Sequence, residues 1–183
     1  MSYILTYKKK EFYPLTPKTE DIDIEDIAHA LSLLCRANGH FKHFYSVGLH
    51  SVNCAKEAQA RGYSDRVILG CLLHDGSEAY LADITRPVKK HLHEYLEIEE
   101  NLQGRIFEKW IPSLTEEEKK QIFEIDDAIL YYEFTTLFGE RIFDYVPHLS
   151  SDPTFEYIEF SKVENEFLSI FNELNEKINK GSK

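Results

Sequence analysis

Cysteine is scarce in this chain, long apolar runs are missing, and positive charge is in short supply. The 183 residues include three cysteines, Cys35, Cys54 and Cys71, spaced 19 and 17 positions apart among apolar neighbours. An odd number at that spacing excludes a fully paired disulfide framework and offers no CxxC metal motif, so they read as reduced interior thiols. No stretch of about 18 apolar residues occurs, which excludes a hydropathic membrane span. A basic signal-peptide start and a lipidation motif are also missing, and the expected location is the cytoplasm.

Lys and Arg number 21 against 32 Asp and Glu, a net charge of −11. Such a surface repels the phosphate backbone of nucleic acid, disfavouring a polymer partner while allowing a small anion held by a local basic cluster. What is present is an ordinary globular composition, 43% hydrophobic and 29% charged, without repeats or low-complexity tracts. Residues 1–183 are few enough for one domain around one core, which the helical pattern places at about 20–139.

The opening YILTYKKKEFYPLTP alternates β-formers and stops at Pro14 and Pro17, predicting a short hairpin. Everything after it has helical spacing. Residues 21–39 carry acidic residues in the first turn, apolar Ile24, Ile27, Ala28, Leu31 and Leu34, and Asn38-Gly39 as a stop. Residues 44–62 start at Ser46 and end at Gly62, and the next helix starts at Ser64 and is apolar all round from Val67 to Leu73, as a central helix would be. A break at Asp83–Pro87 precedes an amphipathic helix from Val88 to Trp110, with Gly104 as its weak point. Thr115 and Glu118 form a capping box for a helix that stops at Gly139, and a last helix is expected near 156–179. The fold class is all-α, a helical bundle with a short N-terminal β-hairpin.

The stretch LLHDGSEAYLAD, residues 72–83, places four ionisable side chains at the end of this buried run. If it is helical, His74 and Glu78 stack one turn apart with Asp75 about 100° round. An unpaired carboxylate there would cost several kcal/mol, and a divalent metal is a compact compensation because imidazole nitrogen and carboxylate oxygen both ligate it. Further ligands must come from other helices. His50 sits among Val47, Val52, Cys54, Ala55 and Ala58. Asp126 has apolar Ile122, Phe123, Ile129 and Leu130 at all its helical neighbours and points inward, whereas Asp127 has a wetter setting.

The order His50, His74-Asp75, Asp126 resembles the H…HD…D signature of the HD-domain metal-dependent phosphohydrolases. LCRANGH (34–40), FYSVGLHS (44–51), LLHDGSEAYLADITRPVK (72–89) and EIDDAILYYE (124–133) resemble the branch that contains bacterial 5′-deoxyribonucleotidases and phage-type HD hydrolases. The likeness covers roughly residues 1–135. HD alone is a weak dipeptide, while the ordered set with HDxxEAYxxD is specific. The resemblance implies an all-α fold, one divalent ion held by His50, His74, Asp75 and Asp126, Glu78 and Asp83 on the substrate side, and Arg36 against a phosphate. It also implies a homodimer, and it matches Glu133 to a recurrent glutamate without giving it a role.

The implied activity is hydrolysis of 5′-(deoxy)nucleoside mono- or triphosphates. Glu78 or Asp83 would handle the proton of water or leaving alcohol, and Arg36 would offer a bidentate fork. Arg86, Lys89, His40, Lys42 and His43 are further candidates for gathering the anionic nucleotide. Plainer readings stand beside these: turn chemistry for Asp83, a dipole-complementing charge for Arg36, a structural ion pair for Glu78, and solvated surface for the other five. A His2Asp2 set suits Mn, Co, Mg, Zn or Fe alike. The alternative functions are a non-catalytic nucleotide- or metal-binding HD module, and oxidative chemistry that would need ligands for a second iron.

Overall fold

The computed structural model describes residues 2–181, and nearly everything after residue 23 that is regular in it is helical. Two short strands, β1 (Ile4–Leu5) and β2 (Glu11–Phe12), pair antiparallel with Ile4 opposite Phe12, as the alternation of the first 17 residues predicts. Phe12 is buried and stacks on Tyr80 at 4.1 Å, which fastens the hairpin to the body.

Eight α-helices follow among the described residues: α1 (Ile24–Leu33), α2 (Val47–Ala60), α3 (Asp65–Leu73), α4 (Glu78–Leu81), α5 (Arg86–Lys89), α6 (His93–Trp110), α7 (Glu116–Leu137) and α8 (Phe160–Gly181). The middle one, α3, buries every residue from Val67 to Leu73 and packs against α2, α7 and α8. Its apolar circumference leaves no solvated face, so burial is its only stable arrangement. α8 lies over α1, α2 and α3, closing the core with Val163, Phe167, Phe171 and Leu174.

Side-chain caps set several starts as the sequence predicts. The hydroxyls of Ser46 and Ser64 accept from the N–H groups of Leu49 and Val67 at 3.1 and 3.3 Å. Thr115 and Glu118 complete the capping box reciprocally, at 3.2 and 2.8 Å.

Other boundaries differ, each for a local reason. The first helix ends at Leu33 rather than at Gly39, because Cys35 bridges to Ser46 and the Arg36 N–H binds the Tyr45 carbonyl at 2.9 Å. Ala37 and Asn38 then take left-handed conformations, φ 52° and 51°. The helix expected from Val88 is split, α5 ending at Lys89 and α6 beginning at His93, while Gly104 sits inside α6 without interrupting it. The last helix begins at Phe160, four residues late, where the Glu159 carboxylate accepts from Ser161 N–H at 3.1 Å.

Two glycines set how closely the layers approach. A Cβ at Gly70 would collide with the end of the Ile122 side chain, so Ile122 of α7 is seated directly over this glycine of α3. A Cβ at Gly48 would stand 3.0 Å from both the backbone N and the hydroxyl of Ser32, so α2 lies directly against the end of α1.

Candidate metal centre and its cleft

Three helices deliver the centre. His50 comes from the first turn of α2, His74 and Asp75 from the residues just after α3, and Asp126 from the middle of α7. Residues 72–83 are not one continuous helix, so the stacking of His74 on Glu78 that helicity would give does not apply: α3 stops at Leu73, four turn residues follow, and α4 restarts at Glu78. Within that turn His74 Nδ1 donates to the Cys71 carbonyl at 2.8 Å, which locks the ring.

Four donor atoms meet. His50 Nε2 lies 3.2 Å from His74 Nε2, 3.1 Å from Asp126 Oδ1 and 3.8 Å from Asp75 Oδ2. His74 Nε2 lies 3.3 Å from Asp75 Oδ2 and 3.7 Å from Asp126 Oδ1. Ligands about 2.1 Å from a shared centre stand about 3.0–3.4 Å apart in octahedral or tetrahedral arrangements. The residues present therefore fit a divalent ion.

The protonation pattern agrees. Glu133, a carboxylate, can only accept at 2.6 Å from His50 Nδ1, and the Cys71 carbonyl can only accept from His74 Nδ1, so each ring carries a proton on Nδ1 and, when neutral, turns a free Nε2 toward the other. Such an array is stable only around a cation, either a proton or a metal ion. Burial works against a charge on His74, yet Asp75, Asp126 and the Cys71 carbonyl push its pKa up to about 9. Burial likewise opposes ionisation of Asp126, but the two imidazoles hold it well below the usual carboxylate range.

Glu133, fully buried on α7, does more than orient His50. Arg36 reaches Glu133 Oε2 and Asp75 Oδ2 with its two terminal nitrogens, each at 3.2 Å. The guanidinium thus ties a candidate ligand to the group behind another, while still lining the cleft. A second feature missed in the sequence is Cys54, one helical turn after His50. His50, Cys54 and His74 present donor atoms all within 4.8 Å of one another, a group that could hold a metal. Burial pushes the Cys54 thiol well above its ordinary value and keeps it protonated, making it a weaker donor than either carboxylate. The i,i+4 spacing of His50 and Cys54 is the signal that could have found it.

Beside Asp75 and Asp126 opens a cleft of about 440 Å3, lined also by Arg36, Glu78, Asp83, Arg86 and Lys89. Glu78 is buried, its Oε2 has no hydrogen-bond partner, and its Oε1 stands 3.6 Å from Lys89 Nζ. Burial raises its pKa well above the carboxylate value, and Asp75 and Asp83 push in the same direction. Asp83 is also raised by burial. It follows Ala82, whose φ of 91° is rarely adopted by a residue with a side chain. Arg86 crosses from α5 to α7, binding Asp126 Oδ2 at 2.7 Å and Asp127 Oδ1 at 2.9 Å. Three of the expected anion-gathering residues lie elsewhere: His40 and Lys42 are exposed outside the cleft lining, and His43 binds the Phe155 carbonyl at 2.8 Å.

No helix among the described residues is long and apolar enough to cross a membrane. In comparison with known proteins, residues 36–175 match the family described as HD domain. The chain is 40% identical over 110 residues to the uncharacterized protein YfdR of Escherichia coli (strain K12), a match covering 60% of this chain and 59% of that one. It is 39% identical over 98 residues to an uncharacterized protein of Rhodobacter capsulatus, half of each chain. The aligned part spans between one half and three fifths of the length of these curated relatives.

Proposed function

The chain belongs to the HD-domain family, and on that premise we propose that it is a metal-dependent phosphohydrolase that hydrolyses phosphate esters or anhydrides of 5′-(deoxy)nucleoside mono- or triphosphates with one divalent ion. The Nε2 atoms of His50 and His74, each 3.1–3.8 Å from the Asp75 and Asp126 carboxylate oxygens, beside a cleft that also presents Arg86, Lys89 and a buried acid, carry this reading. His50, His74, Asp75 and Asp126 would hold the ion. When bound, a divalent ion lowers the pKa of water and polarises a phosphoryl oxygen.

The protein's own groups supply the rest. Arg86 and Lys89 draw the phosphate into an otherwise acidic molecule and neutralise charge on its oxygens. Arg36, held by Asp75 and Glu133, fixes the ligand geometry and faces the anion. Glu78, whose burial favours its protonated form, gives a proton to the departing alcohol or phosphate oxygen. Asp83, nearer the mouth, accepts hydrogen bonds from water or substrate.

The test is turnover by protein loaded with Mn2+ or Co2+ across a panel of nucleoside mono- and triphosphates, with products identified. Wild-type protein is expected to release phosphate or a pyrophosphate-containing product from at least one of them, and Asp75→Ala to abolish the release. Silence across the panel, with metal occupancy confirmed by elemental analysis, would leave a nucleotide- or metal-binding module.

A further inference from the structure

The cleft has two chemically different ends. Asp126, Leu130 and Phe134 stand at i, i+4 and i+8 on α7 and all line it, so they form one row along the helix with steps of about 6 Å. The row starts at the charged donors and runs into an apolar end made by Phe41, Leu130, Phe134, Ile142 and Phe143. Phe41 and Phe134 meet edge to face at 5.5 Å. Phe143 comes from the connection after α7, the part of the chain beyond the family motifs, and lies near-parallel to both Tyr131 and Tyr145, at 6.2 and 5.5 Å. Its ring is therefore held in a preset orientation although the backbone there is irregular. No side chain of these five can donate or accept a hydrogen bond.

We propose that this apolar end is the nucleobase subsite of the hydrolase, with Phe134 and Phe143 as the residues that select an aromatic group on the substrate. The proposal rests on the phosphohydrolase reading of the charged end. Complementarity argues for this occupant: an anionic phosphate belongs at Arg86, Lys89 and the donor set, and the cleft places an apolar, aromatic wall one to two helical turns further on. A base has a π-face whatever its identity, and a wall without polar side chains reads the face and not the edge. The enzyme therefore prefers nucleotides over phosphate esters of non-aromatic alcohols, and discriminates little among the bases.

The experiment has two arms on metal-loaded full-length protein. In the first, kcat/KM is measured for a set of nucleotides and for glycerol phosphate. Phe143→Ala is expected to lower the ratio of nucleotide to glycerol phosphate by at least about tenfold, mainly through KM, and Phe143→Trp to restore it. In the second, a nucleoside without phosphate is titrated by calorimetry. It should bind wild-type protein and bind Phe143→Ala more weakly. Because Phe143 lies outside the helices, thermal melting and metal content check that the variant is folded, and Ile142→Ser gives an independent lesion of the same wall. Nucleotide hydrolysis with an unchanged ratio in both variants, or hydrolysis of glycerol phosphate as readily as nucleotides, overturns the subsite and leaves the hydrolase. Nucleoside binding that weakens with Phe143→Ala, in protein that hydrolyses nothing, keeps the subsite and removes the hydrolase reading. Absence of nucleoside binding overturns the subsite.

Discussion

Among single residues, Glu133 explains most that the sequence could not. Its position seven after Asp126 is readable, but its work depends on α2 and on the Arg36 turn arriving at its two oxygens. Groups behind metal ligands usually contribute about 10–100-fold to affinity. Glu133→Gln keeps the shape but replaces the carboxylate that fixes the His50 tautomer and pairs with Arg36. Its affinity for Mn2+ or Co2+ is expected to fall by about 10–100-fold in competition titrations. Unchanged affinity would mean that Glu133 serves packing alone. His50, His74, Asp75 and Asp126 could be singled out beforehand because each is a polar residue in an apolar helical neighbourhood. Arg36 was legible as a phosphate contact or a charge near a helix end, but not as the tie between Asp75 and Glu133, since those partners lie 39 and 97 positions away.

Within the elements, α2 carries a buried polar row, His50, Asn53 and Glu57. Only the first faces the centre. Asn53 donates to the Thr154 carbonyl at 2.9 Å. Glu57 receives the N–H groups of Ser150 and Ser151, the Ser151 hydroxyl, and Arg61 Nε at 2.7 Å. These bonds tie down the connection between α7 and α8, which otherwise has little regular structure. Burial alone would raise the Glu57 pKa, but the Ser151, Arg61 and Ser150 donors hold it below 4.5. A carboxyl depressed in the folded state stabilises fully above its unfolded pKa, and that contribution disappears as pH falls through the lowered folded value. Wild-type stability should therefore decline from about pH 5 downward more steeply than that of Glu57→Gln. At neutral pH, Glu57→Ala should cost about 2–4 kcal/mol in denaturant unfolding. Equal acid profiles for wild type and Glu57→Gln would refute the latch. Caps and apolar periodicity made α1, α2, α3, α6 and α7 legible. What escaped was the break after Leu73, the split between α5 and α6 and the late start of α8, since each is decided by contacts distant in sequence or by bonds that compete with the helix.

For the whole molecule, the centre joins elements from opposite parts of the chain. Anything that binds the folded but not the unfolded protein stabilises it by mass action, by about 2.7 kcal/mol at a hundredfold excess over Kd. Saturating Mn2+ or Co2+ should thus raise the melting temperature of chelator-treated protein by about 5–10 °C. Asp126→Asn should show much less of that shift. A melting temperature indifferent to every divalent ion would deny that the donors act together. The all-α class with its N-terminal hairpin was readable from composition and period; the cleft was not, because its apolar wall joins α7 to a connection that carries no periodic signal.

The close seating of α2 on α1 reaches as far as the chemistry. Residues 48 and 50 point to nearly opposite sides of their helix, with Ser32 against one and the donor cluster against the other. A methyl group at position 48 would act as a wedge of a few tenths of an ångström against Ser32, and any part of it that α2 absorbs would reach an imidazole whose neighbours stand at 2.6 and 3.1 Å. The alignment of the four candidate ligands is thus gauged by a hydrogen atom facing the other way.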